Sequence, residues 1–221
     1  MIVREIRVLR GPNFWSIKKH KLIQILLDLE DLEFRPTNKI PGFYERILQL
    51  LPSLHEHQCS EGHKGGFFER IKDGTWMGHV IEHIALELQS LAGMKHTGFG
   101  RTRSAGKEGL YHVVFSYEEE QAGLYAAKAA VRLSEALIKG EVYDVEKDIR
   151  EIHDLWHNEK LGPTTCSIVA EAGKRNIPYL VLDDGGLVEL HGSSRCVTPG
   201  LRAFWVFPID YPFAGHPQRR T

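Results

Sequence analysis

Residues Thr75–Leu91 have the sequence TWMGHVIEHIALELQSL, the clearest periodic pattern in the chain. Thr75 is of the residue type that caps helix N-termini, and Ala92-Gly93 ends the pattern. The apolar side chains form one stripe at helical spacing, as in a helix that packs on a core: Met77, Val80, Ile81, Ile84, Leu88 and Leu91. The sequence therefore predicts an amphipathic helix here, and the neighbouring segments must supply the surface on which it packs.

The segments on either side of this helix predict a small sheet. Ile2–Leu9 alternates between apolar and polar residues, and Leu110–Tyr117 has the β-branched and aromatic side chains of a strand. His20–Leu29 fits a strand or a helix, and its short length and flanking breakers favour a strand. With the predicted helices Phe43–Leu51 and Glu118–Ile138, the fold class is α/β (α+β), a small sheet with packed helices.

The C-terminal part of the chain predicts the beginning of a second α/β unit. A linker helix, a further helix and two strands joined by a hairpin turn at Asp183–Gly186 are expected: Val145–Trp156, Ser167–Arg175, Tyr179–Leu182 and Leu187–Leu190. From His191 onwards no periodicity is sustained. We accordingly divide the chain into residues 1–160, 161–190 and 191–221.

Composition excludes several classes of protein. With 28 Lys and Arg against 29 Asp and Glu, the net charge of −1 excludes a strongly basic nucleic-acid binder. No apolar run approaches the roughly 20 residues that cross a bilayer, and the charged N-terminus is unlike a signal peptide. Three scattered cysteines, Cys59, Cys166 and Cys196, match neither a disulfide framework nor a Cys-rich zinc module. We expect a cytoplasmic protein without nucleic-acid or membrane partners.

The predicted helix carries the motif H-x-x-E-H at His79, Glu82 and His83. Two histidines one helical turn apart project on the same side, so both imidazoles can reach one metal ion, and Glu82 is placed to act as a general base. This is the inverted zinc-peptidase arrangement. The alternative is that the three polar side chains decorate the solvent face of the helix.

A catalytic zinc site uses three protein ligands, so the motif is incomplete by itself. Glu87 lies one turn further along the helix, Glu120 begins the next long helix, and His57 and Cys59 belong to the preceding polar loop. The sequence does not choose among these four candidates. The loop itself, Leu54–His63, also fits a solvated surface segment.

Two further segments are charged enough to contact a charged ligand. Lys95–Gly109 is glycine-rich and basic, which predicts an exposed loop whose Arg101 and Arg103 could contact carboxylates. The run Glu118, Glu119 and Glu120 could receive a cationic substrate, or it is a solvated helix start. Neither a phosphate-binding G-x-x-x-x-G-K-[ST] loop nor a G-x-S-x-G elbow occurs in the sequence.

Long stretches of the chain closely resemble the N-terminal domain of bacterial cyanophycin synthetases: IRVLRGPNFWSI, DLEDLEFRPTNKIPGFYERILQLLPSLHEHQCSEGHKGGFFERIKDGTWMGHVIEHIALELQSLAGM and GFGRTR. The likeness runs from about residue 2 to residue 190. The resemblance implies a part in making cyanophycin, multi-L-arginyl-poly-L-aspartate. In that family an N-terminal domain holds the polymer, and an ATP-grasp and a Mur-ligase-like domain add aspartate and arginine with ATP and magnesium.

Some members of that family also cut cyanophycin internally with a metal-dependent activity of this domain, which makes primers. The resemblance assigns that activity to His79, Glu82 and His83, with a divalent metal, zinc by expectation. Partners would be the polymer, a second copy of the chain or a full-length synthetase.

The chain also departs from the family pattern. Residues 161–190, LGPTTCSIVAEAGKRNIPYLVLDDGGLVEL, resemble the opening of the ATP-grasp domain, and the match stops near His191. We therefore expect no ATP, no magnesium and no synthetase activity, and the tail has the composition of an out-of-frame remainder. Three hypotheses follow: a polymer-binding module, a metal-dependent hydrolase of cyanophycin, or an inactive truncated remnant.

Overall fold

The computed structural model describes residues 1–17, 21–57, 59–95, 97–158, 163–175, 177, 179–181 and 188–190. Contacts divide the chain into two compact units, residues 1–157 and 158–221. No helix among the described residues is long and apolar enough to cross a membrane.

The first unit contains four strands and five helices in the described residues. The strands are β1 (Ile2–Leu9), β2 (Leu22–Asp28), β3 (Gly100–Ser104) and β4 (Leu110–Ser116). The helices are α1 (Phe43–Leu50), α2 (Gly66–Asp73), α3 (Met77–Leu91), α4 (Glu120–Lys139) and α5 (Val145–Asn158). Short 3₁₀ turns occupy Glu30–Phe34, Thr37–Lys39, Pro52–Glu56 and Cys59–Glu61.

The strands form one antiparallel sheet in the order β1-β2-β4-β3. Alternate residues of β2 and β4, among them Ile23, Ile25 and Phe115, are fully buried in the main core. Helix α3 packs on β3 and β4, and α4 packs on α3 and β2. The mixed fold class is therefore confirmed, with the helices on the sheet face that carries the larger core.

Helix α3 forms where its apolar stripe predicts, but its first turn is different. The cap position is Trp76, and no side chain caps the helix. The prediction of Thr75 as the cap is wrong, because its hydroxyl lies 3.0 Å from Nδ1 of His79 instead of the free backbone N–H groups. The other core-facing residues of the stripe are buried, and Leu91 at the end is 41% exposed.

The predicted loop over Lys95–Gly109 contains a strand, so that prediction is wrong for β3. Residues 100–104 pair with β4 in unbroken register, Gly100 with Phe115 and Ser104 with Tyr111. Polar and glycine residues suit this position because β3 is an edge strand, with only one neighbour and little apolar surface to cover.

The second long helix begins two residues later than predicted. Glu119 is its cap, and the carboxylate accepts hydrogen bonds from the backbone N–H groups of Gln121 and Ala122 at 2.7 and 2.5 Å. Gly140 ends the helix in the left-handed conformation, with φ of 73°.

The second unit contains α6 (Pro163–Lys174) and an antiparallel pair, β5 (Tyr179–Val181) with β6 (Val188–Leu190). Helix α6 starts four residues earlier than predicted, at a proline, which fits the first position of a helix. The predicted turn at Asp183–Gly186 and the segment 191–221 lie outside the described residues. The assignment of 161–190 to an ATP-grasp domain stays a prediction.

Candidate metal centre

The first turns of α3 place the H-x-x-E-H side chains around one cavity. The rings of His79 and His83 have centroids 4.7 Å apart and lie nearly perpendicular, as the one-turn spacing predicts. Glu82 and His83 are 6% and 7% exposed, and His79 is half-buried. The alternative of a solvent-facing polar stripe is therefore wrong for this helix.

Cys59 meets the two histidines from the loop that precedes α2. Its Sγ lies 3.0 Å from Nε2 of His79, and one potential ligand atom from each of Cys59, His79 and His83 falls within 4.8 Å of the others. Cys59 has a φ of 53°, a left-handed conformation that costs a non-glycine residue roughly 1–2 kcal/mol. Such strain is characteristic of residues held in place for a site.

The three groups fit a zinc ion by chemistry, and their spacing is close to what zinc requires. Zinc–nitrogen bonds are about 2.0–2.1 Å and zinc–sulfur bonds about 2.3 Å, so tetrahedral ligand atoms lie roughly 3.3–3.8 Å apart. The potential ligand atoms of the cluster lie within 4.8 Å of one another, so small side-chain movements would bring them to this spacing. One thiolate and two imidazoles favour zinc over hard cations such as magnesium, and three protein ligands leave a fourth position open.

Both histidines are held in the neutral form that a metal requires. Burial lowers the pKa of His79 to about 4, and the positive charge of Arg70 acts in the same direction. Burial also holds the pKa of His83 well below its ordinary value, with smaller contributions from His79 and His57. Metal would therefore not have to displace protons from either imidazole at neutral pH.

Glu82 is a buried carboxyl group that lines the same cavity as this cluster. Burial raises the pKa of its carboxyl to about 7, partly opposed by the hydrogen bond from Thr102 and the charge of Arg101. Oγ1 of Thr102 donates to Oε2 of Glu82 at 2.6 Å. A Cβ on Gly100 would lie 2.5 Å from Oε1 of Glu82, so only glycine leaves room for the side chain in this position.

His57 and Glu87 lie behind His83 and form hydrogen bonds with each other. Nδ1 of His57 is 3.0 Å from Nδ1 of His83, and Nε2 of His57 is 2.7 Å from Oε2 of Glu87. Burial alone would raise the pKa of Glu87, but hydrogen bonds from His57 and Ser53 outweigh it and leave the pKa below its ordinary value.

The cluster opens into a cavity of about 810 Å³, a volume typical of ligand sites. Helix α3 forms one wall and the edge strand β3 another, and the lining residues include Cys59, His79, Glu82, His83, Arg101 and Thr102. A positively charged side chain, Arg101, thus borders the same space as the candidate metal ligands.

The remaining predicted residues lie elsewhere. Glu120 forms an ion pair with Arg10, its Oε2 accepting from Nε at 2.6 Å, and Glu118 accepts from the backbone N–H of Lys95 at 2.6 Å. With Glu119 capping α4, each carboxylate of this run has an intramolecular partner. Arg103 lies on the opposite sheet face from Thr102 and borders a second pocket with Phe14 and His112.

Sequence reasoning missed Thr75 and Thr102 as members of the site. Thr75 was assigned to the cap, and Thr102 was placed in a loop. The alternation Gly100-Arg101-Thr102-Arg103-Ser104 has the two-residue period of a strand and was the available signal for the second.

The chain is similar to known proteins over the segment that contains the cluster. The family described as "Cyanophycin synthase-like N-terminal domain" matches residues 24–139, which include the whole cluster. Proteins named cyanophycin synthetase from Crocosphaera subtropica and Synechocystis sp. are 51% and 52% identical over 193 residues, covering 86% of this chain and 22% of theirs. One from Trichormus variabilis is 51% identical, covering 86% of this chain and 21% of its own. The chain spans about a fifth of the length of these relatives.

Because the family match covers more than half of the chain, and 51% of 193 aligned residues are identical in a relative, the chain belongs to the family with the cyanophycin synthase-like N-terminal domain.

Proposed function

We propose that this chain cuts cyanophycin internally, with a divalent metal, zinc by preference, held by Cys59, His79 and His83 and with Glu82 as the general base. The observation that carries the proposal is the partly buried Cys–His–His cluster with a carboxylate in the same open cavity. The relatives' printed name supports the polymer as the substrate.

The residues present suit hydrolysis of an amide. A metal in the cluster would polarise the scissile carbonyl and lower the pKa of water. Glu82 takes a proton from the attacking water as a C–O bond forms, and it gives that proton to the leaving nitrogen as the C–N bond breaks.

Charge at the cavity supports a substrate that carries carboxylates. Arg101 is exposed, lines the cavity and lies beside the base. Cyanophycin, as the family resemblance describes it, bears a free carboxylate on each arginine, so Arg101 would pair with one of these groups next to the bond to be cut.

The test is incubation of the purified chain with cyanophycin, with added zinc or with a chelator, following polymer length on a gel. We expect zinc-dependent shortening that the chelator abolishes. Glu82→Gln should lose at least 100-fold in rate, on the order of a general base's contribution, while zinc binding is retained. The exposed Glu45→Gln is the matched control and should cut normally. Zinc-independent cutting, or full activity in Glu82→Gln, would overturn the proposal.

A second candidate function is polymer binding without cleavage. It is favoured by two exposed arginines on the edge strand, Arg101 and Arg103. Co-sedimentation with insoluble cyanophycin should then weaken with salt, survive chelation and fall in the Arg101→Gln, Arg103→Gln double variant. Co-sedimentation that ignores salt and the double variant would contradict this role.

A further inference from the structure

The hydrogen bonds behind the cluster run in a line from Glu87 through His57 to His83. Both nitrogens of His57 are engaged: Nε2 with Oε2 of Glu87 at 2.7 Å and Nδ1 with Nδ1 of His83 at 3.0 Å. The side chain of Glu87 is 5% exposed and that of His57 is 19% exposed. The line is therefore shielded from most solvent. The hydrogen bonds between these side chains, and not bonds to water, then decide which nitrogens carry hydrogen.

The carboxylate of Glu87, at one end of this line, decides which nitrogens donate and which accept. The carboxylate of Glu87 can only accept, so Nε2 of His57 carries the hydrogen. With the ring hydrogen on Nε2, Nδ1 of His57 accepts through its lone pair, and Nδ1 of His83 donates to it. The remaining nitrogen of His83, Nε2, is left with its lone pair free.

This order explains how His83 is made ready to act as a ligand. A neutral imidazole binds metal through the nitrogen that carries no hydrogen, and the partner of the other nitrogen decides which one that is. Both nitrogens of His57 are engaged, one with His83 and one with Glu87. We therefore count neither His57 nor Glu87 among the metal ligands, although the sequence offered both as candidates.

We propose that Glu87 and His57 are positioning residues that hold His83 in the tautomer and orientation that bind metal through Nε2. The inference rests on the proposed metal site, and it goes beyond that proposal by assigning roles to two side chains that do not touch the ion. Because neither residue is a ligand, the fourth coordination position of the metal stays open for water or substrate.

The first test is metal affinity, measured on the full chain by competition titration with zinc and by the absorption spectrum of bound cobalt(II). Glu87→Gln keeps the side-chain size, but its amide can donate to His57 and reverse the line, which would put the hydrogen on Nε2 of His83. We expect affinity to fall about 10- to 100-fold, the scale of outer-shell changes in other sites.

The matched control is Glu69→Gln. Glu69 also faces a histidine, with Oε2 3.4 Å from Nε2 of His63, but both side chains are more than half exposed. This variant should bind zinc within about twofold of the parent chain, because an exposed pair contributes little. Equal affinity in Glu87→Gln and in the parent would overturn the inference.

The second test reads the tautomers directly and needs no metal. Long-range proton–nitrogen correlation spectra of the metal-free chain should show hydrogen on Nδ1 of His83 and on Nε2 of His57. Hydrogen on Nε2 of His83 in the parent chain would overturn the inference. If Glu87→Gln does not fold, His57→Gln, at a half-buried position, serves as the second variant and should lose affinity by a similar factor.

A double-variant cycle separates this role from simple packing. If Glu87 and His57 act through one line of hydrogen bonds, combining Glu87→Gln with His57→Gln should weaken zinc binding little more than either change alone. Additive losses would contradict the inference. A parent chain that binds zinc with these properties but leaves cyanophycin intact would contradict the proposed hydrolysis alone.

Discussion

At the scale of single residues, the site combines a carboxyl with a raised pKa and two imidazoles with lowered pKa values. Burial is the main cause in all three, since it disfavours whichever form is charged. Opposite shifts of acid and base groups within one cavity are characteristic of functional sites. They also make the stability of the metal-free chain depend on pH.

Relative to the parent, the metal-free Glu82→Gln chain should become more stable as the pH rises from 4.5 to 8. The folded-state pKa of Glu82 is raised from 4.5 to about 7. Between these values the unfolded chain has lost the proton and the folded chain keeps it, so the parent loses stability as pH rises through this window. The glutamine variant is spared this loss, which amounts to about 3 kcal/mol at most.

Urea unfolding of both chains at the two pH values measures the effect. The control, Glu45→Gln at an exposed position, should follow the parent at both. Parallel pH profiles for the parent and Glu82→Gln would show that the burial of this carboxyl does not matter for stability.

Gly100→Ala should slow cutting while zinc binding survives. Its Cβ would lie 2.5 Å from Oε1 and 2.7 Å from Cγ of Glu82, so the base must move. The three atoms nearest to this Cβ all belong to Glu82, and none belongs to Cys59, His79 or His83. We expect at least a tenfold loss of rate, since misplacement by about 1 Å can cost 100-fold.

Gly11→Ala is the control, because its Cβ would meet no atom within 4 Å and Gly11 does not line the cavity. Rates of cyanophycin shortening and zinc titration of both variants provide the comparison. Normal cutting by Gly100→Ala would contradict the assignment of Glu82 as the general base.

At the scale of elements, α5 is attached to α4 through one buried carboxylate, Asp148, which is 4% exposed. Its Oδ1 accepts from the hydroxyl of Tyr125 at 2.8 Å and from Nη2 of Arg132 at 2.9 Å, both on α4. Its Oδ2 accepts from the hydroxyl of Tyr143, just before α5. The two helices are therefore joined by polar bonds as well as by apolar contact.

Asp148→Ala should lower the free energy of unfolding by about 2–4 kcal/mol, because it leaves several partly buried donors without an acceptor. Asp154→Ala on the same helix should change it little, since that side chain is 71% exposed. Chemical denaturation measures both, and zinc affinity should be unchanged in each. A loss of zinc affinity in Asp148→Ala would mean that α5 also supports the cluster.

At the scale of the whole molecule, the candidate site and the elements around it all lie in the first unit, residues 1–157. The family match begins at residue 24 and ends at residue 139. It leaves out β1, which pairs with β2 along its length, and α5.

Residues 1–157 alone should therefore unfold cooperatively and bind zinc as tightly as the full chain. Residues 24–139 are the comparison: without β1, strand β2 becomes an unprotected edge, and we expect aggregation or a strongly lowered melting temperature. Thermal unfolding and zinc titration decide the matter. A shorter piece as stable as residues 1–157 would show that β1 and α5 are dispensable.

How much of this could be predicted from the sequence depends on the range of the interactions. The core strands, the helix α3 and the common direction of His79 and His83 follow from periodicity within a few residues. The resemblance of long stretches to the cyanophycin synthetase N-terminal domain was also in the sequence, and the family match confirms it. The edge strand β3 was missed because its residues cover no core.

The sequence by itself determined three of the four strands, the main helices and the half of the site that lies on one helix. Tertiary structure alone decided that Cys59, twenty residues before His79, lies with the two histidines, and that His57 and Glu87 lie behind them. It also decided that Thr102 on β3 donates a hydrogen bond to Glu82 on α3. The physical reason is that loop paths and strand pairing depend on packing of distant segments, whereas the spacing along a helix is fixed by local backbone geometry.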